Sequence, residues 1–267
     1  MTEYLPKKPD IFIKDLNDFK VGDKSIHLSV SAKNIDQLAV LDIENIWLIG
    51  ANEKELKKIL PLIRPKYLNL YQVLAKDLSI LETLESVETI ILEWNTKSET
   101  LWDISKNTNL RTLQIRDFGK LHDISQIVSA MKIESLTLGG GINKKLELLT
   151  LEPLRNLINL KYLGLTNIKV DDGSLRPLDQ LTNLEELGIS NQFDVEEYAW
   201  LATRLKKTKC DLFNGSIKVA VRNANNEIAF DTMITGKKKP FLLSTKDADK
   251  IKQYVDKFEK LKQQLAD

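Results

Sequence analysis

His27, His122 and Cys210 are the only histidines and the only cysteine in the chain of 267 residues, so thiol, imidazole or soft-metal chemistry has to be built from them. A nucleophile needs a base within hydrogen-bond reach, and a transition-metal site needs several such ligands at short spacing. The sequence shows no histidine pair at metal-ligand spacing and no CxxC, GxxxxGK[ST] or GxSxG motif. Gly139, Gly140 and Gly141 could cradle a phosphate, but they follow SLTL without opening a Walker-type motif. A permissive turn ahead of an inserted loop explains them more economically. Lys237, Lys238 and Lys239 form the one basic run and read as a solvated loop. The expectation is a chain without catalytic residues, cofactor or metal.

Composition narrows the partners. Hydrophobic residues make up 42% and charged residues 29% of the chain, with a formal net charge of +1, as in a folded globular protein with no pull toward polyanions. Nucleic acid is therefore not an expected partner. The opening MTEYLPKKPD has no apolar core of a secretory signal, and no stretch reaches the roughly 18 apolar residues of a membrane span. With a single cysteine that fits a reducing compartment, a cytoplasmic protein is expected.

The elements that must position any functional residue repeat along the chain. An LxxLxL segment recurs eight times, starting at Ile43, Pro65, Val87, Leu110, Ile133, Leu160, Leu184 and Lys207, with spacings of 22, 22, 23, 23, 27, 24 and 23 residues. Its clearest copies are LINLKYLGL, carrying Leu160, Leu163 and Leu165, and LTNLEELGI, carrying Leu184, Leu187 and Ile189. Apolar residues also recur nine and six positions upstream of six copies, as Leu56/Ile59, Leu78/Leu81, Leu101/Ile104, Ile124/Ile127, Leu151/Leu154 and Leu175/Leu178. The first ladder has the period of a short strand and the second that of a helical or 3₁₀ turn. Pro153 and Pro177 favour short turns over α-helices in the second ladder.

This pattern resembles the leucine-rich repeat family, and within it the bacterial, internalin-like subclass with repeats of roughly 22 residues. The signature LxDIxxL of that subclass is echoed in LWDIS and LHDIS. The resemblance implies an α/β solenoid with a curved parallel sheet inside and short helical or 3₁₀ pieces on the convex side. It also implies a non-enzymatic scaffold that binds another protein on the inner face. The asparagine that closes each strand in the family is present at Asn95 but replaced by Ala51, Val73, Phe118, Gly141, Ile168 and Gln192, so other groups must satisfy those turns.

Residues 1–42 break the repeat and read as an N-terminal cap, residues 43–214 as the solenoid, and residues 215–267 as a C-terminal cap. That last segment alternates apolar residues at Ile217, Val219, Val221, Ile228 and Phe230, as a β-hairpin does, then carries a helix with Ile251, Tyr254, Val255, Phe258, Leu261 and Leu265 on one face. Ser244 and Asp247 are a plausible capping pair.

If the strands stack in register, the positions between and beside the buried leucines form columns on the inner face. The first coils present Trp47, Tyr67, Tyr71, Ile91, Glu93 and Arg116, whereas later coils present mostly Gly, Ser and Thr. Aromatic residues and arginine dominate interface energetics, so these six residues are the expected partner site. The competing reading is that the aromatics only pack on one another across strands. Trp94, at a strand end, could face either way. Two further functional readings stay open: an inhibitor or regulatory subunit that masks a partner enzyme, and self-association through the terminal helix, with a monomer expected otherwise.

Overall fold

The computed structural model describes residues 5–266. Its first strands are β1 (Ile13–Asp15), β2 (Ser25–Lys33), β3 (Asn45–Ile49), β4 (Tyr67–Tyr71), β5 (Thr89–Asn95), β6 (Thr112–Phe118) and β7 (Ser135–Gly139). After β8 (Leu146–Leu148) come β9 (Tyr162–Thr166), β10 (Ile168–Val170) and β11 (Glu186–Ile189). Nine of these form one parallel sheet in the order β1-β2-β3-β4-β5-β6-β7-β9-β11, and β8 pairs with β10 in a small second sheet. The register is continuous: Ile46, Leu68, Ile90, Leu113, Leu136, Leu163 and Leu187 sit side by side.

The second ladder closes each coil behind the sheet. Backbone bonds from Leu81 N–H to the Leu78 carbonyl, Ile127 to Ile124, Leu154 to Leu151 and Leu178 to Leu175, all at 2.9–3.0 Å, define 3₁₀ turns. Residues three apart eclipse in such a turn, so both members of each apolar pair point inward. The first coil instead has a true helix, α1 (Glu53–Ile59), begun by a capping box in which Asn52 and Glu55 exchange hydrogen bonds. The seventh has α2 (Val195–Arg204), which the leucine pattern did not reveal.

One column of the sheet edge carries an alternation of charge. The residues immediately before successive strands are Lys24, Glu44, Lys66, Glu88, Arg111, Glu134, Lys161 and Glu185. From Glu44 to Lys161 their backbone carbonyls each accept two N–H groups of the following coil, as when Lys66 and Tyr67 both donate to Glu44 at 2.9 and 3.0 Å. Their side chains pair across coils, Lys66 with Glu44 at 3.2 Å and Lys161 with Glu134 at 2.6 Å. Exposed pairs of this kind contribute little individually. Their common effect is on register, since each coil meets an opposite charge only in its proper place.

The missing strand-closing asparagines are replaced in several ways. Asn95, fully buried, accepts the Lys97 and Ser98 N–H groups and donates to the Ala75 carbonyl. At the opposite, entering end of the strands, Asn109, Asn159 and Asn183, just before the repeat leucines, donate to the Glu85, Met131 and Ile158 carbonyls of the preceding coil at 2.8–2.9 Å. In the seventh coil, where Gln192 fills the asparagine slot, the Tyr198 hydroxyl donates to the Ser190 carbonyl at 2.6 Å and accepts the Gln192 and Phe193 N–H groups. Burial pushes this phenol up to about 12.

Within the N-terminal cap, Ser25–Lys33 forms strand β2, which continues the sheet with Ile26 and Leu28 in register with Ile46 and Leu48. Two expectations need correction. The eighth copy forms no strand; after an isolated bridge from Lys209 to Glu186 it becomes a 3₁₀ turn at Asp211–Asn214, although Cys210 and Leu212 still point into the core. Gly139–Gly141 do not adopt left-handed backbone. Gly140 is required by space, because a Cβ there would stand 2.4 Å from the Asn167 carbonyl oxygen, whereas one on Gly141 would meet the Asp117 side chain.

The chain ends with β12 (Ser216–Arg222), β13 (Ile228–Ile234) and β14 (Phe241–Leu242) in an antiparallel sheet, followed by α3 (Ser244–Leu265). This helix packs on α2 and the hairpin, with Phe258 buried and the rest of its apolar stripe half-buried. Its start is held differently from the expected pair: Asp231 accepts both the Ser244 N–H and hydroxyl, while Asp247 accepts the Leu243 N–H.

Removing the Tyr198 hydroxyl leaves the Phe193 N–H without its partner and takes one of two bonds from the Gln192 N–H and the Ser190 carbonyl. Tyr198→Phe is expected to cost about 1–3 kcal/mol in urea unfolding, with no change in the far-UV spectrum.

Candidate functional site

The face of the sheet turned away from the core is built by the same register. Trp47 lies beside His27 and Asn69, Asn69 beside Ile91, and Ile91 beside Gln114. In the next outward column Ile49, Tyr71, Glu93, Arg116, Gly139 and Thr166 stand in a row. Neighbouring strands are about 4.8 Å apart, so side chains of one column touch.

Register brings the six expected site residues together, but they divide by exposure. Trp47, Tyr67 and Ile91 are only 5%, 5% and 4% exposed and form a separate buried cluster on this face. The Trp47 and Tyr67 rings lie 4.8 Å apart. The expected exposure of Trp47 and Ile91 is therefore corrected, and the physical reason is that Trp47, Tyr67 and Ile91 pack into one cluster, with β2 adding a further strand beside Trp47. On β2, His27 flanks Trp47 and is itself met edge-on by the Phe12 ring at 4.8 Å. Burial raises the Tyr67 phenol pKa, with the Asn69 and Trp47 side chains pulling the other way.

Tyr71, Glu93 and Arg116 remain accessible. Tyr71 is 43% exposed and packs against Trp94, 39% exposed, with ring centroids 5.8 Å apart. Asn69 donates to Glu93 at 3.1 Å. Arg116 has no ion pair or hydrogen bond among the described residues. Its stem approaches Gly139, where a Cβ would lie 3.8 Å from Arg116 Cγ.

Trp94 is the residue that sequence reasoning undervalued. Gly50, Gln72, Trp94, Asp117 and Asn167 directly follow the outward column in their coils, and all have φ between 49° and 82°. These five coils thus turn their corners through left-handed backbone, and the coil with Gly140 at that position does not. Glycine adopts this without cost and Asn or Asp tolerates it, whereas a tryptophan there is an outlier. The signal was available in the alignment of Trp94 with Gly50 and Asn167.

Farther along, the same face is flat. Gly164 and Gly188 leave room for Tyr162, whose hydroxyl would be 3.1 and 3.4 Å from Cβ atoms added at those positions. The eighth-coil residues Asp211 and Phe213 do not join the face: Phe213 is buried below it.

The groups considered for chemistry are dispersed. Cys210 is buried and desolvation pushes its thiol up to about 11. His122 Nδ1 donates to the Lys120 carbonyl at 3.0 Å on an exposed turn. Among the described residues no group of three or more His, Cys, Asp or Glu could hold a metal, and no helix is long and apolar enough to cross a membrane.

The chain contains four tryptophans, of which Trp47, Trp102 and Trp200 are buried. Acrylamide quenching should therefore act mainly on Trp94. Trp94→Phe is expected to remove most of the quenchable emission, and Trp47→Phe to leave it nearly unchanged.

No family model matches the sequence, and no curated protein matches it. Among solved structures the chain is similar to an internalin, InlF, from Listeria monocytogenes strain 4b F2365, at 16% identity over 68% of this chain and 59% of that one, with a TM-score of 0.45. It is similar to internalin C2 of the same strain at 22% identity over 71% and 76% of the two chains, with a TM-score of 0.47. TLR13, solved as the TLR13–ssRNA13 complex, is similar at 14% identity over 70% and 39%, with a TM-score of 0.26. The chain thus spans 59% of the InlF chain. Independently of these likenesses, seven consecutive repeat strands in unbroken parallel register, their apolar trios buried except for a half-buried Ile189, give this chain the fold of a leucine-rich repeat solenoid.

Proposed function

We propose that the chain is a non-enzymatic protein-binding module whose partner docks on the concave, N-terminal half of the sheet. Tyr71, Glu93, Trp94 and Arg116 make the contacts, and Trp47, Tyr67 and Ile91 form the rigid floor beneath them. The observation that carries this reading is the Tyr71–Trp94 pair. A non-glycine residue in left-handed backbone costs roughly 1–2 kcal/mol. Here that cost is borne by a tryptophan whose ring is left 39% exposed, while Gly50 fills the corresponding corner of an earlier coil. Stability alone does not account for it. Arginine and aromatic side chains at such a position are what hot spots are made of, and the buried floor keeps them from losing much freedom on binding. A reducing, cytoplasmic setting fits the single buried thiol.

Affinity capture tests the assignment. The Tyr71→Ala/Trp94→Ala/Arg116→Ala variant should lose a partner that both the wild type and a Val128→Ala/Met131→Ala variant of the opposite side retain. Equal retention by all three proteins would move the site off this face.

A further inference from the structure

The C-terminal cap contains a cleft that the repeat face does not use. Helix α2, the hairpin and α3 enclose about 330 Å³, within the range of small-molecule sites. Its floor is apolar, with Phe258 buried and Val195 and Leu261 half-buried. Two glycines in left-handed backbone let the walls approach: a Cβ on Gly215 would stand 2.9 Å from Phe258 Cβ, and one on Gly236 2.9 Å from Val195 Cβ.

The lining is positively charged. Lys239, Lys257 and Lys260 line the cleft, and none of their side chains has an ion pair or hydrogen bond among the described residues. Nearby Lys237 and Lys262 are already paired, with Asp194 and Glu259. Glu196 is the single acidic residue of the lining, so three lysines against one glutamate leave an excess of two positive charges. An apolar floor beneath unpaired ammonium groups complements a molecule that has an apolar tail and an anionic head. A cation would meet repulsion, and a small polar anion would leave the floor in water. The volume does not admit a helix, whose diameter with side chains is about 10–12 Å.

We propose that this cleft binds a small amphiphile with an apolar chain and a carboxylate head, its tail on Phe258 and Leu261 and its carboxylate among Lys239, Lys257 and Lys260. Nothing in this assignment depends on the partner face.

Isothermal titration of the full chain with decanoate, acetate and decyltrimethylammonium, each below its micellar range, tests it. Saturable binding of decanoate at one site is expected, with none for the other two. A Lys257→Met/Lys260→Met variant keeps most of each stem at two exposed positions, and its far-UV spectrum should match the wild type. In that variant the decanoate affinity is expected to fall about tenfold or more. Absence of saturable decanoate binding would overturn the proposal, as would equal binding of the cationic amphiphile or an unchanged affinity in the double variant.

Discussion

A parallel strand at the end of a coil has a row of N–H and C=O groups that only the next coil can satisfy, and this pairing governs the molecule. Each coil is too small to bury its apolar trio alone, so burial and backbone pairing are achieved together, by stacking in register. The bifurcated bonds to Glu44, Lys66, Glu88, Arg111, Glu134 and Lys161 repeat that pairing at the entrance of the strands. Charge alternation in the same column adds a penalty for misplacement, because skipping one coil would bring like charges together. Weak as stabilisers, these charges discriminate between registers that the leucines treat as nearly equivalent.

Register also decides what the open face can be. Once Leu68, Ile90 and Leu113 are aligned, Tyr71, Glu93 and Arg116 must be aligned as well. The face is uneven along its length: bulky residues on β3 to β6, then small residues and a Tyr162 side chain accommodated by two glycines. Trp47, Tyr67 and Ile91 support the bulky half from within the face itself. The exposed Tyr71 and Trp94 stand beside that support, so a recognition surface and a secondary small core share one side of the sheet.

The leucine ladders and the 3₁₀ character of the later coils were legible in the sequence because a core slot accepts only apolar residues and each element has its own period. Columns on the open face followed from the same arithmetic. Burial within them did not, since it depends on how Trp47 leans toward Tyr67 and on the register in which β2 continues the sheet. Helix α2 was hidden because its Tyr198 and Leu201 fall at the three-residue spacing that the second ladder already shows in the other coils. The alternating charges looked like ordinary solvated residues until the strands were aligned. Gly140 signalled close backbone approach rather than an unusual dihedral angle, a distinction that residue type alone does not make.

The central claim is that one shared register buries the repeat trios, and Leu163 is its most direct probe. It lies in the middle strand of a continuous row between Leu136 and Leu187 and is fully buried. Equilibrium unfolding of Leu163→Ala should show a loss of about 2–5 kcal/mol, as for a large core side chain that leaves a cavity. A loss below about 0.5 kcal/mol, the size of an ordinary surface substitution, would contradict the register.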